Sequence, residues 1–114
     1  MTDPIEPGPS FAENLGHLPS VDGVQRIDLF DGNGSNVASI ENQPGKAGSL
    51  AVYHYLMQLF GTLDARAAEH GIAVFAEHTP DARNRPGVHP NIDRLFEIAE
   101  GGAPLAIEVI AKDA

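Results

Sequence analysis

The chain is expected to fold as a single α/β domain, on the border of α+β, around a four-stranded mixed sheet. Three features of its 114 residues lead there. Strand-like and helix-like segments alternate along most of the length. One Gly and Asn turn signal, DGNG, sits between two early segments of alternating polarity. A five-residue apolar run, IAVFA at 72–76, has the length of a strand covered on both faces.

Taken in order, residues 1–9 hold three prolines and little apolar content, which predicts a disordered tail and leaves 10–114 as the globular domain. SFAE at 10–13 is a capping box, so a short helix should run to about Leu15 before Gly16 and Pro19 end it. Val24 to Phe30 and Ser35 to Glu41 read as the strands of a hairpin turning at DGNG. After NQPGKAG, the residues Leu50, Tyr53, Leu56, Met57 and Phe60 recur at helical spacing, with Ser49 as the expected N-cap. Gly61 breaks that helix, and Thr62 is expected to cap a second one that stops at Gly71.

Ile72 to Ala76 then forms the third strand, central in its sheet. Pro90 suits the first turn of a helix with the stripe Ile92, Leu95, Phe96 and Ala99, ended by Gly101 and Gly102. Leu105 to Ile110 is the last strand. After the short first helix the predicted order is β-β-α-α-β-α-β, with helical crossovers making the last three strands parallel. Right-handed crossovers would bring the loops 43–49 and 77–93 to one edge of the sheet.

Composition narrows the functions. There is no cysteine, which removes disulfides, thiolate nucleophiles and cysteine zinc sites and suits a cytoplasmic protein. MTDPIEPGPS lacks the basic start and apolar middle of a signal peptide, and AVYHYLMQLF is too short and polar to cross a bilayer, so no membrane association is expected. A net charge of -9 repels phosphate backbones and anionic lipid, which argues against nucleic acid as a partner.

The densest chemistry lies in EHTPDARNRPGVHPNIDRL, 77–95, where three of the five arginines fall. NQPGKAGS, 42–49, leads into a helix start whose free amides and Lys46 favour an anion, although it does not follow the GxxxxGK[ST] pattern of a nucleotide loop. Asp31, Asn33 and Ser35 have calcium-loop spacing, but Asn36 and Asn42 stand where Gly and a bidentate Glu are required, so turn chemistry explains them. His78, Asp81, His89 and Asp93 offer two imidazoles and two carboxylates to a metal. Their spacing fits no metal motif, and three nearby arginines oppose a cation, so no cofactor is expected.

An anion site uses the same residues better. Lys46, Ser49, Arg83 and Arg85 would bind a carboxylate or phosphate, His78 or His89 would exchange protons, and Asp81 or Glu77 would orient a histidine. Against it stands a scaffold reading, in which the arginines pair with Asp81, Asp93 and Glu97 to pin a proline-rich loop. His17, His54 and His70 read as structural.

The hairpin RIDLFDGNGSNVASIEN, the helix entry GSLAVY and the block AEHTPDARNRPGVHPNIDRL resemble a family of small bacterial proteins, domain of unknown function 2322, from Phe11 to about Ile110. The resemblance implies a bacterial, cytoplasmic protein and carries no catalytic residue with it. Function is therefore expected to be that of a small binding or adaptor module without catalytic chemistry, with a homodimer through a sheet face or edge as one form. The alternatives are a small-anion binding protein or enzyme using the 43–49 and 77–93 loops, and a mononuclear metal site at His78 and His89. Whether the protein is an enzyme stays open in the sequence.

Overall fold

In the computed structural model, which describes residues 4–112, the elements are α1 (Phe11–Leu15), β1 (Val24–Phe30), β2 (Asn36–Glu41), α2 (Ala47–Phe60), α3 (Ala65–Val74), α4 (His78–Asn84), α5 (Pro90–Ala99) and β3 (Ala106–Ala111). The hairpin forms as its turn residues require. Asp31 Oδ1 accepts from the amides of Asn33 and Ser35, and Gly34 takes φ 81°.

The sheet corrects the sequence expectation. It has three strands in the order β2-β1-β3, both pairings antiparallel, and the class is α+β. The fourth, parallel strand does not exist: Ile72, Ala73 and Val74 are the last turn of α3, which runs through Gly71 instead of stopping there. A short apolar run fits a buried helix end as well as a strand, and here the neighbours decide. A Cβ on Gly71 would stand 2.9 Å from methyls of both Leu56 and Leu95, so glycine lets α3 approach α2 and α5 closely.

Two helix starts also move. α2 begins at Ala47 with Lys46 at the N-cap, not at Ser49, and α3 is capped by Asp64, not Thr62, its carboxylate accepting from the Ala67 amide at 2.9 Å. The segment 77–89 is not all loop, since α4 occupies its first half.

Burial organises everything around α2. Leu50, Val52, Tyr53, His54, Tyr55 and Leu56 are all buried, as befits a helix covered on nearly every side. One side meets the inner sheet face of Ile27, Leu29, Ile40 and Ile107, and another meets α3. The phenol of Tyr53 donates to the Asn91 carbonyl (2.6 Å) and accepts from Arg94 (3.1 Å), which pins α2 to the first turn of α5; burial pushes its pKa up to about 12. The outer sheet face is polar. Arg26 pairs with Asp28, the Ser39 hydroxyl donates to Asp28 (2.7 Å), and Glu41 and Glu108 flank them in register.

Of the segment expected as a tail, residues 4–9 have no regular structure, and Met1 to Asp3 lie outside the described residues. The Ile5 amide donates to the Tyr55 hydroxyl (2.9 Å), which in turn bonds the Nε2 of His70 (2.6 Å).

His54 is 8% exposed, and its Nδ1 has no hydrogen-bond partner among the described residues, while Nε2 meets Gln58. Burial lowers the pKa of both His54 and His70 below the ordinary 6.5. The unfolded chain then binds protons that the folded one refuses, so their contribution is complete above pH 6.5 and is lost as pH falls through the folded values. Replacing His54 with Leu removes an orphaned polar atom at similar volume. The variant should be more stable by about 1 kcal/mol at neutral pH and lose less stability between pH 7 and 5, as read by urea denaturation at each pH.

Candidate functional site

Five helices begin in two different ways. α1 and α3 start on side-chain caps, the Ser10 hydroxyl accepting from the Glu13 amide and Asp64 from that of Ala67. α2, α4 and α5 start on Lys46, Glu77 and His89, none of which makes a side-chain cap bond. All three uncapped starts line one cavity of about 390 Å³ through Lys46, Gly48 and Ser49, through His78, and through His89 to Ile92. In α2 the amides of Gly48 and Ser49 have no acceptor among the described residues. In α4 the His78 and Thr79 amides are taken by the Phe75 and Ala76 carbonyls and Pro80 has none, and in α5 Pro90 has none and the Ile92 amide bonds the His89 carbonyl. The adjacent pair of free helix-start amides at this space therefore belongs to α2.

The floor is apolar. Phe11 stacks on Phe75 with centroids 5.2 Å apart, and Val88 and Ile92 complete it. Phe11 is held there because its amide donates to Glu77 Oε1 at 2.6 Å, a bond that keeps the Glu77 carboxyl below its ordinary pKa. Gly48 makes room for it: a Cβ there would meet the Phe11 ring at 3.2 Å. Between α3 and α4 the chain turns at Ala76, with φ 51°, a left-handed conformation that costs a non-glycine residue about 1 kcal/mol. That turn delivers His78 to the cavity wall.

The two histidines face one another, ring centroids 5.9 Å apart, and His78 also meets the Phe11 ring edge-on at 5.1 Å. Asp81 stands behind His89. Its Oδ2 lies 2.6 Å from His89 Nε2, and both its oxygens receive the Arg85 guanidinium, at 2.8 and 2.6 Å. The Arg85 bonds first, and His89 second, hold the Asp81 carboxyl well below the usual carboxylate range. An ionised carboxylate only accepts, so His89 Nε2 carries a proton, and in the neutral ring the lone pair is on Nδ1.

The residues singled out in the sequence thus divide. Lys46, Ser49, His78 and His89 line the cavity, and Asp81 and Arg85 brace it from behind. Arg83 lies over the Phe96 ring at 4.1 Å, beside Asp93, in a separate cleft of about 370 Å³. The Asp93 carboxylate is taken by the Gly87 amide at 2.8 Å. Among the described residues no group of three or more His, Cys, Asp or Glu side chains could hold a metal ion. No strand residue lines the cavity, so it lies among helices and not at a sheet edge. Sequence reasoning missed Phe11, Phe75, Val88 and Asn91. Only Val88, an apolar residue in a polar loop and 51% exposed, carried a signal of its own.

Residues 11–109 match the family described as "Uncharacterized protein conserved in bacteria (DUF2322)". No curated protein and no solved structure matches the chain. No helix among the described residues is long and apolar enough to cross a membrane.

Proposed function

We propose that this chain, which belongs to the bacterial family of uncharacterised proteins DUF2322, binds a small organic anion in the cavity between α1, α2, α4 and α5. The observation that carries this reading is the pair of free Gly48 and Ser49 amides at the start of α2, which line one space together with Lys46 and two imidazoles. Unpaired amides and positive dipole ends favour negative charge, and a chain of net charge -9 gathers these groups in one place. The apolar floor takes the hydrocarbon part of the ligand, and the volume suits a small metabolite. The lack of cysteine fits a cytoplasmic setting. A homodimer through the outer sheet face has less support, because it would cover Asp28, Glu41 and Glu108.

A thermal-shift series of short carboxylates and phosphate esters tests the proposal. A ligand at a hundred times its Kd should stabilise the fold by about 2.7 kcal/mol. Lys46 is exposed and its side chain makes no bond among the described residues, so Lys46→Ala should leave the unliganded melting temperature unchanged. It should weaken binding about tenfold, near the 1.4 kcal/mol of one charge-assisted hydrogen bond. Arg83→Ala, in the other cleft, should bind as the parent does. A series in which no anion raises the melting temperature, or in which Lys46→Ala binds equally well, would sink the reading.

A further inference from the structure

We infer that the cavity is also an acid-base site, in which His89, oriented by Asp81, and His78 move a proton on a small 2-oxo carboxylic acid. This rests on the anion-binding reading above and adds chemistry to it.

Three observations point the same way. The Asp81 carboxylate fixes His89 at Nε2, which sets the tautomer and leaves Nδ1 as the basic nitrogen of the ring. A structural ion pair needs only Arg85, which Asp81 already binds through both oxygens; the imidazole is an additional partner at 2.6 Å. His78 stands opposite, and its ring makes no hydrogen bond among the described residues, so nothing in the protein uses its nitrogens. The free Gly48 and Ser49 amides supply adjacent donors for an oxygen that gains charge.

The cavity does not present an activated nucleophile. Its one hydroxyl side chain, Ser49, bonds neither imidazole, and the chain has no cysteine. Proton transfer needs none. His89 Nδ1 takes a proton from the carbon next to the keto group, that C–H electron pair forms the carbon-carbon double bond, and the carbonyl π pair moves to oxygen. The enolate oxygen rests on the Gly48 and Ser49 amides, with Lys46 on the carboxylate. Return of a proton from His78 or His89 restores the keto acid. Atoms and electrons balance without an oxidant or a second substrate. A 2-oxo acid with a short apolar tail also matches the Phe11 and Phe75 floor.

The experiment uses the full chain and 4-methyl-2-oxopentanoate in deuterium oxide, following loss of its C3 proton signal by NMR, with thermal shift on the same samples. Exchange should exceed that with an equal concentration of free imidazole by at least tenfold. His89→Gln and His78→Gln should each lower the exchange rate at saturating substrate at least tenfold, more than either weakens half-saturation; His78→Gln keeps the test open if His89→Gln fails to fold. Asp81→Asn, a positioning change, should lower the exchange rate at saturation and leave the half-saturating concentration nearly unmoved. A compound that raises the melting temperature but exchanges no faster than in His89→Gln overturns the acid-base assignment and leaves anion binding standing. The same holds if other anions bind and the 2-oxo acid does not. If no anion shifts the melting temperature, the binding reading has failed as well.

Discussion

Asn14→Leu should destabilise the fold by about 3 kcal/mol and lower the melting temperature by about 12 °C or more. Asn14 is 2% exposed, on a helix of only five residues. Its amide nitrogen donates to the carbonyls of Gly8 (3.1 Å) and Val74 (3.0 Å), and its oxygen accepts from the Gly8 amide (2.9 Å). Leucine of similar volume leaves those three backbone groups without their partner. Val74 is fully buried at the end of α3, so water reaches its carbonyl poorly, and an unpaired buried group costs about 1–3 kcal/mol. The loss does not stay local. α1 carries Phe11, one wall of the cavity, so the folded fraction of the variant should also bind anions more weakly. Urea denaturation with an unchanged m-value checks the stability claim, and a loss under 1 kcal/mol would show that these bonds contribute little.

What could be read in the sequence depended on how local the cause was. DGNG turns the hairpin through its own backbone and the Asp31 side chain, so a four-residue stretch was enough. The Ser10 cap and the stripe of α5 are local too, whereas α2 is buried nearly all round and shows no single stripe. IAVFA was misread because nothing within those residues separates a buried strand from a buried helix end. The answer lies with Leu56 and Leu95, 15 and 24 residues from Gly71, whose methyls occupy the space a side chain would need. That one error supplied the parallel strands, and with them the reason first given for bringing the loops 43–49 and 77–93 together.

The loops do meet, for another reason. α2 and α5 both pack on α3 and are joined by the Tyr53 hydrogen bonds, and the left-handed Ala76 turns α4 toward them. The arginines show the same limit. Arg85 is four residues from Asp81 on one helix face, a pairing that spacing alone allows. Arg83 over Phe96 joins residues thirteen apart on different helices, which no local pattern announces.

Gly71→Val should be the most damaging single change at a position that the sequence marks only as a helix breaker. A glycine inside a helix costs roughly 1 kcal/mol relative to alanine, and Gly71 sits mid-helix, its carbonyl accepting from the Phe75 amide at 3.0 Å. Its backbone is not in the left-handed region, so conformational freedom does not explain its presence. Contact does: an added Cβ would lie 2.9 Å from Leu56 Cδ1 and Leu95 Cδ1, both fully buried, and 3.8 Å from Val52 Cγ1. Gly71→Ala regains about 1 kcal/mol of helix propensity and loses more to overpacking, for a net cost of about 1 kcal/mol. Valine adds two further methyls with a stiff χ1, and the cost should reach about 3 to 4 kcal/mol. Because the clash is with particular methyls, Leu56→Ala in the Gly71→Val background should cost less than Leu56→Ala alone, a coupling of at least 1 kcal/mol in a double-mutant cycle. Additive losses would mean that the two residues do not compete for the same space, and the close approach of α3 to α2 would then not be what glycine is there to permit.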